Sequence, residues 1–299
     1  MSRPSSEDAR GDRRIQAKRP EVIADPGAML AASRRWHGEG RTIGLVPTMG
    51  ALHAGHLSLV ALACRENAIA VVSIFVNPIQ FGPGEDFERY PQDPEHDALL
   101  LGQAGIDAIY RPSAAAMYPP GAATRVRVQG VSEPLEGAAR PGHFEGVATV
   151  VAKLLAAVQP DRVYFGQKDA QQVAVVQRLA RDLDLGVEVR VAPTVREPDG
   201  LALSSRNAYL RPAERRAAAS LSAALRQAAD AYVAGERRPE ALSEILRARL
   251  AAEPLARVDY AEVVDPATFR PPGRLAVLAV WIGKTRLIDN HDLSQPFPG

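Results

Sequence analysis

Gly44-Leu-Val-Pro-Thr-Met-Gly-Ala-Leu-His-Ala-Gly-His-Leu-Ser-Leu59 is the stretch on which the fold of this 299-residue chain turns. Ile43-Gly-Leu-Val46 is an apolar run of the size of a buried strand, and Pro47 reads as its stop. Gly50 permits a sharp turn, and His53 and His56 follow on either side of Ala54-Gly55. Beyond them Leu57, Val60, Ala61 and Cys64 recur at helical spacing, which predicts a helix starting near the second histidine. A strand, a glycine turn and a helix N-terminus form a junction at which an α/β protein holds a phosphate, because free N–H groups and the positive end of the helix dipole converge there. Two imidazoles at that junction add donors that can follow charge developing on phosphorus. The competing reading is a pair of surface histidines on a loop.

Outward from this stretch, Ala68-Ile-Ala-Val-Val-Ser-Ile-Phe-Val76 is a second apolar run without alternation, as expected of a parallel strand covered on both faces. Strand, helix and strand with short links make a βαβ unit. Ligands of open α/β sheets sit beyond the carboxyl ends of the strands. Asn77 and Gln80, in the loop leaving the second strand, therefore point toward the histidines, although a polar turn built on Pro78 and Gly82 explains them too. Further helices are predicted at about 26–36, 94–104, 147–158 and 173–183, and strands at 107–110, 162–165 and 187–191. Thr124–Gln129 alternates like an edge strand. The acidic residues between Asp86 and Asp97 are candidates to help hold Mg²⁺, or else a solvated loop. His143, in Arg140-Pro-Gly-His-Phe-Glu-Gly146, sits at a helix N-terminus and reads equally as part of a structural turn.

Gly166-Gln-Lys-Asp-Ala-Gln-Gln172 follows a short buried strand and makes a second junction of the same kind. Lys168 brings a mobile cation suited to phosphate, Asp169 can accept from a ribose hydroxyl or cap the helix, and Gln172 is suited to a small hydroxy acid. Leu203-Ser-Ser-Arg206 offers two hydroxyls and a guanidinium, a natural phosphate clamp. Past about residue 193 the chain changes to Ala/Arg/Leu-rich helices at about 212–235 and 239–252, then strands at 258–264, 275–282 and 285–289. The expected class is α/β: a Rossmann-like parallel-sheet domain over residues 22–192, a smaller C-terminal α+β lid domain over 193–299, and a polar, disordered extension over 1–21.

Lys plus Arg number 36 against 35 Asp plus Glu, a net charge of +1, which argues against a nucleic-acid partner. Cys64 is the single cysteine, so no internal disulfide forms, and its place on the predicted core face makes it a packed thiol rather than a nucleophile. No apolar run reaches the length of a membrane span, and the first 20 residues lack the apolar core of a secretion signal; a cytosolic location is expected. The six histidines are too scattered for a zinc site, and neither a G-x-x-x-x-G-K-[ST] loop nor a G-x-G-x-x-G fingerprint is present.

Pro47-Thr-Met-Gly-Ala-Leu-His-Ala-Gly-His56 resembles the HxGH signature of the nucleotidyltransferase superfamily and, in its full ten residues, the pantothenate synthetase (pantoate–β-alanine ligase) family. Asn77-Pro-Ile-Gln-Phe-Gly82, Gly166-Gln-Lys-Asp169 and Leu203-Ser-Ser-Arg206 resemble the same family in the same order, the last as its counterpart of the KMSKS loop. The likeness runs from about residue 22 to 290. It implies condensation of pantoate with β-alanine through a pantoyl adenylate, with ATP and Mg²⁺, in a cytoplasmic homodimer. It implies an ATP site of Met49, Gly50, Ala51, Leu52, His53, Ala54, Gly55, His56, Gly166, Gln167, Lys168, Asp169, Val195, Leu203, Ser204, Ser205 and Arg206. Pantoate contacts are implied at Gln80 and Gln172, with Asn77 beside them. Catalytic roles are implied for His53, His56, Lys168, Ser204, Ser205 and Arg206, with His56 as proton donor; the metal ligands stay open. Two rivals remain at this point: a nucleotidyltransferase acting on another acceptor, and a nucleotide sensor without catalysis.

Overall fold

Nine strands and nine α-helices follow one another along residues 19–298, the residues the computed structural model describes. The first part runs β1 (Glu21–Ile23), α1 (Pro26–Gly38), β2 (Ile43–Thr48), α2 (Ala54–Glu66), β3 (Ile69–Ile74), α3 (Pro94–Gln103), β4 (Ala108–Tyr110), α4 (Ala114–Met117), α5 (Glu136–Ala139), α6 (His143–Val158), β5 (Arg162–Gly166), α7 (Ala170–Asp182) and β6 (Glu188–Ala192). The second part runs α8 (Pro212–Val233), α9 (Pro239–Ala251), β7 (Ala256–Val264), β8 (Leu275–Ile282) and β9 (Thr285–Asp292). The extension expected over 1–21 lies outside the described residues as far as position 18. Its last residue, Glu21, already belongs to β1, a strand too short to show periodicity.

The apolar runs form parallel strands because both their faces are covered. Ile43, Leu45, Ile69, Val71, Val163 and Phe165 pack against α1, α6 and α7, whereas Val46, Ala70, Val72, Ile109 and Tyr164 pack against α2 and α3. The sheet order is β1-β4-β3-β2-β5-β6, with every pairing parallel. The chain winds outward from β2 through β3 to β4, then returns to build β5 and β6 on the other side. That reversal opens a crevice at the carboxyl ends of β2 and β5, the position in which such sheets take ligands. Both junctions singled out in the sequence leave these two strands.

Pro47 does not stop β2, which runs on to Thr48 in register with Ile74. Even-numbered residues of β2 carry the ladder to β3, as in the bonds from Ile69 and Phe75 N–H to the carbonyls of Thr42 and Thr48. Pro47 faces the β5 side, where pairing involves only Gly44 and Leu45, so its missing N–H is not needed. Thr124–Gln129 forms no strand. It stays extended along α6, with Val126 N–H donating to Thr149 Oγ1 at 3.0 Å and Val128 buried in the core. Two helices begin earlier than periodicity predicts, α6 at His143 and α7 at Ala170.

The second sheet is antiparallel in the order β7-β8-β9. Ala276, Leu278, Val280 and Ile282 of β8 pack on α8 and α9, while Leu275 and Val277 join the core of the parallel sheet. The second sheet is thus held between its own helices and the first sheet, and a cleft is left between the two.

Candidate active site

The cleft has a volume of about 1090 Å³. Met49, His53, Gly55 and His56 line it from the first junction and Gly166, Lys168, Asp169 and Gln172 from the second; Asn77 and Gln80 come from the loop after β3. Val195, Leu203, Ser204, Ser205 and Arg206 line it from the connection between β6 and α8. Of the predicted ATP-site residues, Gly50, Ala51, Leu52, Ala54 and Gln167 are not on its wall. They shape the loops that present the others.

The helix at the first junction starts earlier than read from periodicity, at Ala54, and this fixes the imidazoles. His53 is the N-cap and His56 the third helical residue, in a capping box made of two histidines. Gly55 N–H donates to His53 Nδ1 at 3.2 Å, and His53 N–H donates to His56 Nδ1 at 3.4 Å. Both Nδ1 atoms are acceptors, so each neutral ring carries its proton on Nε2. The rings lie 4.1 Å apart, centroid to centroid. Burial lowers the His53 pKa, helped by Lys168 and opposed by Asp169. Burial, His53 and Lys168 bring His56 down to about 3 against the pull of Asp169. The pair is therefore two neutral N–H donors at a helix N-terminus.

Asp97, which the sequence suggests only as one of several Mg²⁺ candidates, instead holds the loop before them. Its buried carboxylate accepts from Ala51 N at 3.0 Å and Leu52 N at 2.8 Å. Gly50 and Ala51 both take positive φ, 86° and 49°. For Ala51 this is a strained conformation, and the two bonds to Asp97 hold it. One signal was available: Asp97 stands four residues before Leu101 on the inward face of α3, where a carboxylate needs partners.

Lys168 sits on the single 3₁₀ turn Gln167–Asp169, its Nζ 3.3 Å from Asp169 Oδ1. Burial pushes the Asp169 carboxyl up, but Lys168, Arg206 and His56 together hold it below its ordinary value. Gln172 makes no side-chain hydrogen bond among the described residues, and its amide is open to a ligand. Gln171 beside it is structural, bonded to Val131 O, Pro134 O and Glu136 N.

Asn77 is buried and committed to the protein. It donates to Gln80 Oε1 at 3.0 Å and Gly146 O at 3.1 Å, and accepts from Tyr118 OH at 2.8 Å. Its amide orients Gln80, whose Nε2 lies 3.2 Å from Met49 Sδ. Gly146 permits this approach: a Cβ there would meet the Ile79 carbonyl and stand 2.6 Å from Gln80 Cα. His143 Nδ1 donates to Gln80 O at 2.9 Å, so its Nε2 accepts from Arg140 at 3.1 Å. Burial and Arg140 bring His143 down to about 4.

Ser204 caps the 3₁₀ turn Ser205–Tyr209 by accepting from Arg206 N, and Ser205 Oγ lies 3.4 Å from Tyr90 OH. Arg206 makes a two-pronged pair with Asp86 at 3.0 and 2.9 Å. Burial pushes Asp86 up, but the Arg206 hydrogen bond and charge hold it below its ordinary value. Of the acidic residues read as Mg²⁺ candidates, Asp86 is thus neutralised by an arginine, Asp97 serves backbone amides, and Asp93 caps α3. No group of three metal-ligating side chains occurs among the described residues. Cys64 is a packed thiol, donating to Ala104 O at 3.7 Å, with burial and Asp107 raising it to about 11.

A parallel sheet with its crevice at the topological switch, two neutral imidazole donors at a helix N-terminus and a lysine across from them together define an α/β enzyme that handles a phosphate-bearing substrate. Comparison with known proteins narrows the class. The family model described as pantoate-beta-alanine ligase matches residues 21–292. The pantothenate synthetase of Herpetosiphon aurantiacus is 52% identical over 276 residues, covering 90% of this chain and 99% of the relative. The crystal structure of pantothenate synthetase from Thermus thermophilus superposes with a TM-score of 0.87 at 46% identity, covering 91% of this chain and 99% of that one. Pantoate-beta-alanine ligase from Francisella tularensis, solved in complex with β,γ ATP and β-alanine, has a TM-score of 0.79 at 33% identity, covering 93% of this chain and 100% of that one. The chain belongs to the pantoate–β-alanine ligase family and is an ATP-dependent ligase that joins pantoate to β-alanine.

Proposed function

We propose that the paired imidazoles and Lys168 carry the first half of this reaction, in which the pantoate carboxylate attacks the α-phosphorus of ATP and pyrophosphate leaves. His53 and His56 donate through Nε2 to the α-phosphate oxygens as charge grows on them. The His56 imidazole is neutral, so its role as proton donor is that of a hydrogen-bond donor rather than an imidazolium. Lys168, Ser204, Ser205 and Arg206 hold the β- and γ-phosphates as they depart. Gln80 and Gln172 grip pantoate, and Asn77 fixes Gln80. In the second half the β-alanine amine attacks the acyl carbon of pantoyl adenylate, releasing AMP and pantothenate; no covalent enzyme intermediate is required. The single observation that carries this reading is the pair of imidazoles at the start of α2 whose Nδ1 atoms are taken by backbone N–H, which leaves Nε2 as the donor of each, in the cleft that also holds Lys168, Gln80 and Gln172.

The ATP complex of the Francisella relative supports ATP as co-substrate here. Mg²⁺ is held mainly by phosphate oxygens and waters and needs only one or two carboxylates. Asp169 fits that need, since its second oxygen has no hydrogen bond among the described residues. When bound, the ion shields the triphosphate charge. The same reading takes residues 22–192 as the nucleotide- and pantoate-binding domain and 193–299 as the lid, in a cytoplasmic homodimer.

The test is pyrophosphate release from ATP and Mg²⁺ with pantoate, with and without β-alanine. Release with pantoate alone, and AMP turnover only after β-alanine is added, is the expected result. Folded, ATP-binding protein that shows no pantoate-dependent release refutes the assignment. His56→Ala should fold and lose adenylation about 10²–10³-fold, the scale of one transition-state donor.

A further inference from the structure

β9 carries two adjacent buried polar residues, Asp289 at 2% and Asn290 at 4% exposure, at the side of the cleft. Asn290 spends its whole amide on the turn that bears Lys168. Its Nδ2 donates to Gln167 O at 2.9 Å and Lys168 O at 2.8 Å, and its Oδ1 accepts from Gln167 Nε2 at 3.0 Å. Asp289 accepts from both terminal nitrogens of Arg196, at 2.6 and 3.0 Å. Arg196 also donates to Gly200 O at 3.0 Å and forms a backbone bridge with Ala202, in the hairpin that leads directly into Ser204–Arg206. Two neighbouring residues of the second sheet thus hold both loops that face the phosphates.

A lysine has a flexible four-carbon stem, so the place of its ammonium depends on the backbone that carries it. The Gln167–Asp169 turn is too short to be rigid alone, and its side-chain neighbour Asp169 moves with it. Three hydrogen bonds from one buried amide, belonging to a different sheet, supply the missing constraint. A buried amide with both donors and its oxygen engaged is a directional clamp, whereas an apolar residue would fill the space without fixing the turn.

We propose that Asn290 is a positioning residue for Lys168, and that Asp289, through Arg196, does the same for the Ser204–Arg206 loop. The second sheet then sets the spacing between the two phosphate-binding elements. This rests on the reading of Lys168 as a phosphate ligand.

The experiment is a double-mutant cycle between Asn290 and Lys168, read as single-turnover pantoate-dependent pyrophosphate formation, with pantoate KM and melting temperature measured alongside. Asn290→Ala removes the clamp; Asn290→Asp keeps its size and the bond from Gln167 but removes both donors. Both should lower the adenylation rate about 10²-fold, the cost of misplacing a group by about 1 Å. Pantoate KM should stay within about threefold. In a Lys168→Ala background the same changes should cost less than about threefold more, because residues acting as one unit are not additive. Wild-type adenylation in both variants, or an equal loss in both backgrounds, overturns the proposal, as does normal adenylation in Asn290→Asp, which would mark a packing role. If Asn290→Ala fails to fold, Asn290→Ser runs the same cycle. Near-normal adenylation in Lys168→Ala alone would instead refute the reading of Lys168, and that arm involves no change at Asn290.

Discussion

Asp97 touches no residue proposed to contact substrate through its side chain, yet its replacement should disable the site. Its carboxylate, 1% exposed, takes two backbone N–H groups, Ala51 at 3.0 Å and Leu52 at 2.8 Å. Hydrogen bonds to an ionised acceptor contribute about 1.5–3 kcal/mol each. Asp97→Asn keeps the volume and one of the two bonds but turns an amide N–H₂ toward the other donor, a loss of about 2 kcal/mol. For a chain of this size, with an unfolding entropy of about 2.1 cal/mol/K per residue, that lowers the melting temperature by about 3 °C. The larger effect is on chemistry. Positive φ is free for Gly50 but strained for Ala51, whose amide Asp97 holds, and the loop they form ends at the N-cap His53. Freed, the loop relaxes and shifts the imidazole pair by a fraction of its reach to the α-phosphate, and a displacement of about 1 Å costs about 10²-fold in rate. The assay pairs thermal unfolding with single-turnover pyrophosphate formation. A variant that melts like the wild type and adenylates pantoate at the wild-type rate would show that the Ala51 and Leu52 amides do not depend on Asp97, and the argument would fail.

The depressed histidines give stability a pH dependence with a definite sign. His56 titrates near 3 in the folded chain against its ordinary 6.5, so between those values the unfolded chain binds a proton that the folded chain refuses. Stability should fall as pH drops through this window, by up to about 1.4 kcal/mol per pH unit for each such group, and be flat above it. Unfolding midpoints measured from pH 7 to 4 check this, and His56→Gln should reduce the slope. Gly146→Ala should push the Ile79–Gln80 backbone away from α6, cost about 1–3 kcal/mol of stability, and raise pantoate KM more than ATP KM in steady-state assays. Asp86→Asn loosens the partly exposed Arg206 pair and should change stability by less than about 1 kcal/mol, whereas Arg206→Ala should weaken ATP binding and slow adenylation; titration calorimetry and single turnover separate the two.

Much of this protein is legible along the chain because it is local. Unbroken apolar runs at 43–46 and 68–76, helices entered through Asp25-Pro26 and Asp93-Pro94, and a glycine turn before two histidines each declare themselves within about a dozen residues. The two strand–loop–helix junctions that bear His53, His56, Lys168 and Gln172 are legible this way, and the parallel sheet brings these four residues to one cleft. Apart from helix starts and the short β1, the misreadings concern what lies beside a segment rather than in it. Pro47 reads as a strand stop until β5 is seen to pair only at Gly44 and Leu45. Thr124–Gln129 alternates like a strand yet lies against a helix, since a half-buried extended segment has the same pattern wherever it packs. Asn77 reads as a substrate contact, and its amide is consumed by Gly146, Gln80 and Tyr118. Asp97 lies 46 residues from Ala51, Asp86 lies 120 from Arg206, and Asn290 lies 122 from Lys168. Burial of apolar surface is non-directional and leaves a periodic trace in the chain. A hydrogen bond demands its partner at about 3 Å and the right angle, and that meeting exists only once distant elements have packed.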